Sequence, residues 1–260
     1  MGRQAGMIRL AGKVAIITGA AGDIGAAALK SLVSEGARVV AIDLDGLGLE
    51  RVLRDLSDEQ ACACIADVTR ADDMSKAVNF AVERFGQLDI ALLNAGIEGQ
   101  VAPITDYEEE VFDRVIAVNV RGVWLGLKYS MQAMASSGGG SIVLTSSVAG
   151  VRGRKGISAY TASKHAVVGL MRTAAIEGAE FGVRVNTVNP GPVESRMIRA
   201  LEISANPDNP DDVRQDNFSA TPMGRYATPQ EVANMMIFLA SNESSHSTGS
   251  MFMVEGGRTA

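Results

Sequence analysis

Residues 13–43 restrict the chain to one kind of architecture. The β-branched run Lys13-Val14-Ala15-Ile16-Ile17 enters Thr18-Gly19-Ala20-Ala21-Gly22-Asp23-Ile24-Gly25, and an Ala-rich helical pattern follows as far as Glu35-Gly36. This reads as strand, glycine turn, helix. Glycines let a backbone approach a pyrophosphate, and the free N–H groups and positive dipole end of the helix then meet its charge. The position of the turn adds weight, because turns use glycine for many reasons. A second strand, Arg38-Val39-Val40-Ala41-Ile42, ends in Asp43, about twenty residues past the turn. Dinucleotide-binding folds place an acid there, against the adenosine ribose hydroxyls.

The same rhythm continues along the chain. Gln60–Ile65 reads as a strand ending at Ala66-Asp67-Val68, and Ala71–Phe85 reads as a helix with apolar residues at Ala77, Val78, Ala81 and Val82. Leu88–Leu93 is a further buried strand that delivers Asn94-Ala95-Gly96. In open parallel sheets ligands bind outside the carboxyl ends of the strands, so Gly19, Asp43, Asp67 and Asn94 are expected to converge on one crevice. A long helical stretch from Tyr107 to Met134 carries Asn119. The segment from Glu194 to Met223, with Asn206-Pro207 and Asn209-Pro210, has no clean periodicity and reads as a lid over a substrate. Met197, Ile198, Leu201 and Met223 are candidates for its apolar wall. Pro229–Leu239 reads as the last helix and Ser250–Val254 as the last strand.

Composition narrows the function classes. With 260 residues and 47% hydrophobic content the chain can bury the core of one large α/β domain, and nothing in it resembles a linker. A net charge of −6, with acidic residues scattered, offers no basic surface for nucleic acid. No stretch reaches the ~20 apolar residues of a membrane helix, and Met1–Leu10 lacks an apolar leader core. The expectation is a cytoplasmic protein with no membrane partner. Cys62 and Cys64, two apart on one strand, lack the partners of a zinc site, and no metal is expected.

The chemistry gathers at Tyr160 and Lys164. Four residues apart on a helix, they share a face, and a cation beside a phenol favours the phenolate, which makes a tyrosine usable as a proton carrier. Ser147 follows the apolar run Ile142-Val143-Leu144 and so belongs at the end of a buried strand, where its hydroxyl is able to orient a substrate oxygen. His165 points about 100° away from Lys164 on an ideal helix and reads as structural.

Taken in order, these segments resemble the short-chain dehydrogenase/reductase family over nearly all of Leu10–Gly257. Thr18–Gly25 is similar to its cofactor turn, Asn94-Ala95-Gly96 to its strand-four motif, Ser147 and Tyr160-Thr161-Ala162-Ser163-Lys164 to its active site, and Pro190-Gly191-Pro192-Val193 to its nicotinamide-side turn. Two departures stand out: Asp23 replaces the usual middle glycine of the turn, and Ser195 stands where a Thr is common. The resemblance implies a doubly wound, Rossmann-like parallel sheet of order 3-2-1-4-5-6-7 with helices on both faces. It implies NAD-linked interconversion of a small-molecule secondary alcohol and its ketone by a homotetramer. Asn119, Ser147, Tyr160 and Lys164 would be catalytic, with Ser147 and Tyr160 touching substrate and Asn119 holding a water beside Lys164. Gly19, Gly22, Asp23, Ile24, Asp43, Leu44, Asp67, Val68, Asn94, Ala95, Gly96, Tyr160, Lys164, Pro190, Gly191, Val193 and Ser195 would line the cofactor site. The alternatives are a 3-oxoacyl thioester reductase, which would need an NADPH-binding basic pair absent after Thr18 and Ile42, and a catalytically silent nucleotide-binding protein.

Overall fold

The computed structural model describes residues 8–260; most of the N-terminal Met1–Leu10 segment lies outside the described residues. Seven strands form one parallel sheet: β1 (Val14–Thr18), β2 (Arg38–Asp43), β3 (Ala61–Ile65), β4 (Ile90–Leu93), β5 (Gly140–Thr145), β6 (Val183–Pro190) and β7 (Met251–Val254). Their order is β3-β2-β1-β4-β5-β6-β7, the doubly wound arrangement expected from the sequence. Sequential strands 3 and 4 lie on opposite sides of β1, so the chain reverses its winding there. The crevice at that switch point opens at the carboxyl ends of the strands.

Helices cover both faces because β1, β2, β4 and β5 are apolar on both sides. In β1, Ala15 and Ile17 pack into one cluster with α1 (Asp23–Ser34) and α9 (Pro229–Ala240), while Val14 and Ile16 pack into the other. That second layer holds α3 (Ala71–Phe85), α5 (Val123–Ser136) and α6 (Ser158–Ala179). The alternation is the two-residue period of a strand. Ile16, Ile17, Ile42 and Leu92 are each 0% exposed, and fully burying such a side chain contributes roughly 1.5–3 kcal/mol.

Two expectations need correction. The stretch read as one helix from Tyr107 is α4 (Glu109–Ile116), a π-helical segment (Ala117–Gly122) and α5 in succession. The wide turn occurs where Asn119 turns inward and exchanges hydrogen bonds with the backbone of Ile97, a distortion of the kind found at functional positions. The segment read as irregular between Glu194 and Met223 contains two helices, α7 (Arg196–Ala205) and α8 (Pro210–Ser219). Pro210 starts α8, where its missing N–H costs nothing. A polar knot ties these helices together: Tyr226 donates to buried Glu202 at 2.7 Å and accepts from Asn217 at 3.0 Å. α8 has no apolar stripe, and Asn206-Pro207 and Asn209-Pro210 break the pattern after α7, so a search for periodicity passes over the segment.

Candidate active site

The carboxyl ends of the strands enclose a crevice of about 830 Å³. At one end lies the glycine turn. Gly19 has φ +68°, and a Cβ there would sit 2.9 Å from the Cα of Ala95; a Cβ on Gly25 would lie 2.0 Å from the Gly19 carbonyl. Only glycine fits this close return of backbone on backbone. Gly22, by contrast, caps α1 at φ −77° and Asp23 begins the helix, so an aspartate at the expected glycine position brings no backbone strain. The first-turn N–H groups of α1 have no side-chain cap and border the crevice, as an anion site requires.

Asp43 ends β2. One carboxylate oxygen accepts from the Ala21 N–H at 2.9 Å and the other from the Asp45 N–H at 3.0 Å, which fixes the group while leaving each oxygen a free lone pair. Leu44 beside it is 69% exposed, an apolar surface at the crevice rim. Asp67 is held by the Thr69 N–H at 2.8 Å and hydroxyl at 2.7 Å. Asn94 serves the sheet: its amide donates to the Thr18 and Gly19 carbonyls, each at 3.3 Å, and its oxygen accepts from Thr145 at 3.1 Å.

At the other end Tyr160, Ser147 and Lys164 meet. Ser147 follows β5; its hydroxyl accepts from the Ala149 N–H at 3.1 Å, and its carbonyl accepts from Asn189 at 3.1 Å. Lys164 is 3% exposed, and its ammonium donates to the Thr145 carbonyl at 2.8 Å, leaving two donors for a ligand. The ammonium lies 5.4 Å from the centre of the Tyr160 ring.

The expected depression of the phenol by the lysine is not found. Burial pushes Tyr160 up to about 12, against the pull of the Ser147 hydroxyl and with the help of the Glu98 carboxylate. Burial also holds the Lys164 ammonium down at about 8. Desolvation outweighs attraction here because both groups are fully buried and the ammonium is directed at the Thr145 carbonyl.

These shifts make a stability prediction. Between pH 8 and 10.5 the unfolded chain keeps a proton on Lys164 that the folded chain has released, so stability rises with pH in that window. Above pH 10 the unfolded chain loses a Tyr160 proton that the folded chain retains, and stability falls again. Chemical denaturation of the cofactor-free protein is expected to show a gain of about 2 kcal/mol from pH 8 to 10 relative to Lys164→Met. An identical pH dependence in the variant would contradict it.

Every residue expected at the site lines this crevice except Asn119. Asn119 is 0% exposed, and it donates to Ile97 and Ser163 and accepts from the Ile97 N–H. Its oxygen and the Lys164 ammonium both abut Gly96, where a Cβ would lie 3.3 and 3.4 Å from them respectively. Of the expected wall residues, Met197, Ile198 and Leu201 line the crevice. Met223 does not; it lies 64% exposed outside.

The matching family profile, described as Enoyl-(Acyl carrier protein) reductase, spans residues 19–259. (+)-Borneol dehydrogenase 2 of Salvia officinalis is 41% identical, covering 97% of this chain and 91% of its own. Levodione reductase of Leifsonia aquatica is 34% identical, covering 97% and 96%. A structure of NAD+-bound xylitol dehydrogenase superposes with a TM-score of 0.90 at 32% identity, covering 95% and 99%. The chain belongs to the short-chain dehydrogenase/reductase family.

Within this short-chain dehydrogenase/reductase, Ser195 at the usual threonine position caps α7, accepting from the Ile198 N–H at 3.3 Å. Its hydroxyl keeps a proton to donate into the crevice it lines. Sequence reasoning assigned no role to Thr18, whose hydroxyl accepts from the N–H groups of Asn94 and Ala95, or to Thr145, whose hydroxyl donates to the Asn94 side chain. Their signal was available: both are hydroxyl residues closing apolar strands. It also missed Glu98, Arg152 and Arg196, which line the crevice from loops and a helix end with no periodic pattern. No group of three or more potential metal-ligating side chains occurs among the described residues.

Proposed function

We propose that this protein interconverts a secondary alcohol and a ketone with NAD, and the carrying observation is the meeting of Tyr160, Ser147 and Lys164 at one end of a crevice that has Asp43 at the other. The glycine cradle, the uncapped N-terminus of α1 and the fixed Asp43 carboxylate suit a dinucleotide. The NAD+-bound xylitol dehydrogenase and the relative named as a borneol dehydrogenase support the same reading. When bound, the nicotinamide ring supplies the hydride acceptor or donor.

The chain supplies everything else. Ser147 donates a hydrogen bond to the substrate oxygen and fixes it beside the phenol. Tyr160 takes the alcohol proton in oxidation and returns it to the carbonyl oxygen in reduction. Lys164 would offer its two spare donors to the nicotinamide ribose, and its amine exchanges with the phenol the proton that the pair holds. Asn119, through Ile97 and Ser163, fixes the wall beside Lys164, and its free oxygen lone pair suits a water next to that ammonium. The apolar side chains of α7 exclude bulk water, so residues 194–223 cover the substrate of a catalytic unit that uses the whole chain as one domain.

The Tyr160 and Lys164 pair loses its first proton near 8, and phenol with amine differs from phenolate with ammonium only in where the remaining proton sits. Oxidation is therefore expected to rise, and reduction to fall, as pH passes through about 8. A panel of secondary alcohols incubated with NAD, followed by the absorbance of the reduced nicotinamide, tests the reading. Turnover of none of them, or of acyl thioesters alone, refutes it; a flat pH profile with chemistry rate-limiting refutes the proton carrier. We place the enzyme in the cytoplasm, which suits the free thiols of Cys62 and Cys64. A homotetramer is supported by the exposed Phe112, Trp124 and Ile176 on α4, α5 and α6, and sedimentation analysis tests it.

A further inference from the structure

We propose that Asp23 and Arg196 form a latch that fastens α7 to the glycine turn and sets how fast the dinucleotide leaves; the proposal rests on the NAD reading above. Asp23 occupies a position where the family resemblance calls for glycine, and its carboxylate has a partner 173 residues away. One oxygen accepts from the Arg196 backbone N–H at 2.8 Å, and the other stands 3.6 Å from the guanidinium Nε. The same guanidinium donates from Nη2 to the Ala21 carbonyl at 3.0 Å. Three contacts therefore join the first residue of α7 to the turn that begins α1.

The charges explain why the pair belongs together. A carboxylate on the first residue of a helix is favoured by the dipole, yet it occupies the field that a pyrophosphate would use. Left bare, Asp23 would repel the ligand that the neighbouring amides attract. Arg196 cancels that repulsion and brings a cation to the edge of the anion site. Because Met197, Ile198 and Leu201 follow it and line the crevice, holding Arg196 down also holds the apolar wall over the substrate.

The pair is partly exposed, with side-chain exposures of 67% for Arg196 and 33% for Asp23, so its contribution should be modest and salt-sensitive. Asp23→Asn, which keeps an acceptor for the backbone N–H, is expected to speed NADH dissociation about threefold in stopped flow. Arg196→Met, which also exposes the carboxylate, should speed it by about fivefold or more. The double variant should be no faster than Arg196→Met and well below the product of the single effects, because each residue acts through the other and Asp23→Asn removes the charge that Arg196→Met exposes. In the wild type, NADH should protect the amides of 196–205 from hydrogen exchange, and both variants should lose part of that protection. High salt should bring the wild-type dissociation rate towards the variants. Dissociation at the wild-type rate in both single variants, or single effects that multiply in the double, overturns the latch. Failure of wild-type protein to bind NADH at all would instead overturn the NAD reading.

Discussion

Tyr160→Phe is expected to lower turnover of the alcohol by roughly 10²–10⁴-fold, the range for a positioned proton carrier, while the dissociation constant for NADH changes little. The swap removes a single oxygen and conserves volume, so the fold should survive. Beside the Tyr160 phenol stand the Ser147 hydroxyl and, 5.4 Å from the ring centre, the Lys164 ammonium, and the ring that packs against them is kept by phenylalanine. Lys164→Met should damage both turnover and binding, since its ammonium is built to serve phenol and ribose together. Rates with a saturating alcohol and calorimetric titration with NADH separate the two outcomes. Near-wild-type turnover in the phenylalanine variant would sink the mechanism.

Cofactor choice is the second large effect. The Asp43 carboxylate is pinned by two backbone N–H groups at 2.9 and 3.0 Å, so it is unable to swing away from a 2′-phosphate. Like charges about 4 Å apart in a partly desolvated cleft repel by about 4 kcal/mol at an effective dielectric near ~20, on the order of a thousandfold in kcat/KM. The nearest downstream cation, Arg51, is committed to Asp45 at 3.4 Å. Preference for NAD over NADP should accordingly reach hundreds to a thousandfold, and Asp43→Ser should weaken NAD use while collapsing the ratio. Comparable efficiency with both cofactors in the wild type would remove Asp43 from the ribose.

The strands and the residues at their carboxyl edge were legible in the sequence, and the order of the sheet followed from the family resemblance. Apolar strands alternating with helical patterns, and a glycine turn after the first of them, point to a parallel sheet covered on both faces, and a strand's last residue necessarily arrives at its carboxyl edge. Gly19, Asp43, Asn94 and Ser147 were legible for that reason. Tyr160 and Lys164 were legible because helical spacing alone puts them on one face. The direction of their pKa shifts was not: attraction is local and visible in a spacing, whereas desolvation depends on every segment packed around the pair. Tertiary structure likewise decided the π turn at Asn119, which exists to let one side chain reach the Ile97 backbone. It also decided α7 and α8, which a buried Glu202–Tyr226–Asn217 knot ties together across a segment broken by two prolines. Asp23 shows the division most clearly. Its departure from glycine stands in the sequence, but its partner Arg196 lies 173 residues away, and only folding brings the two charges within reach of each other.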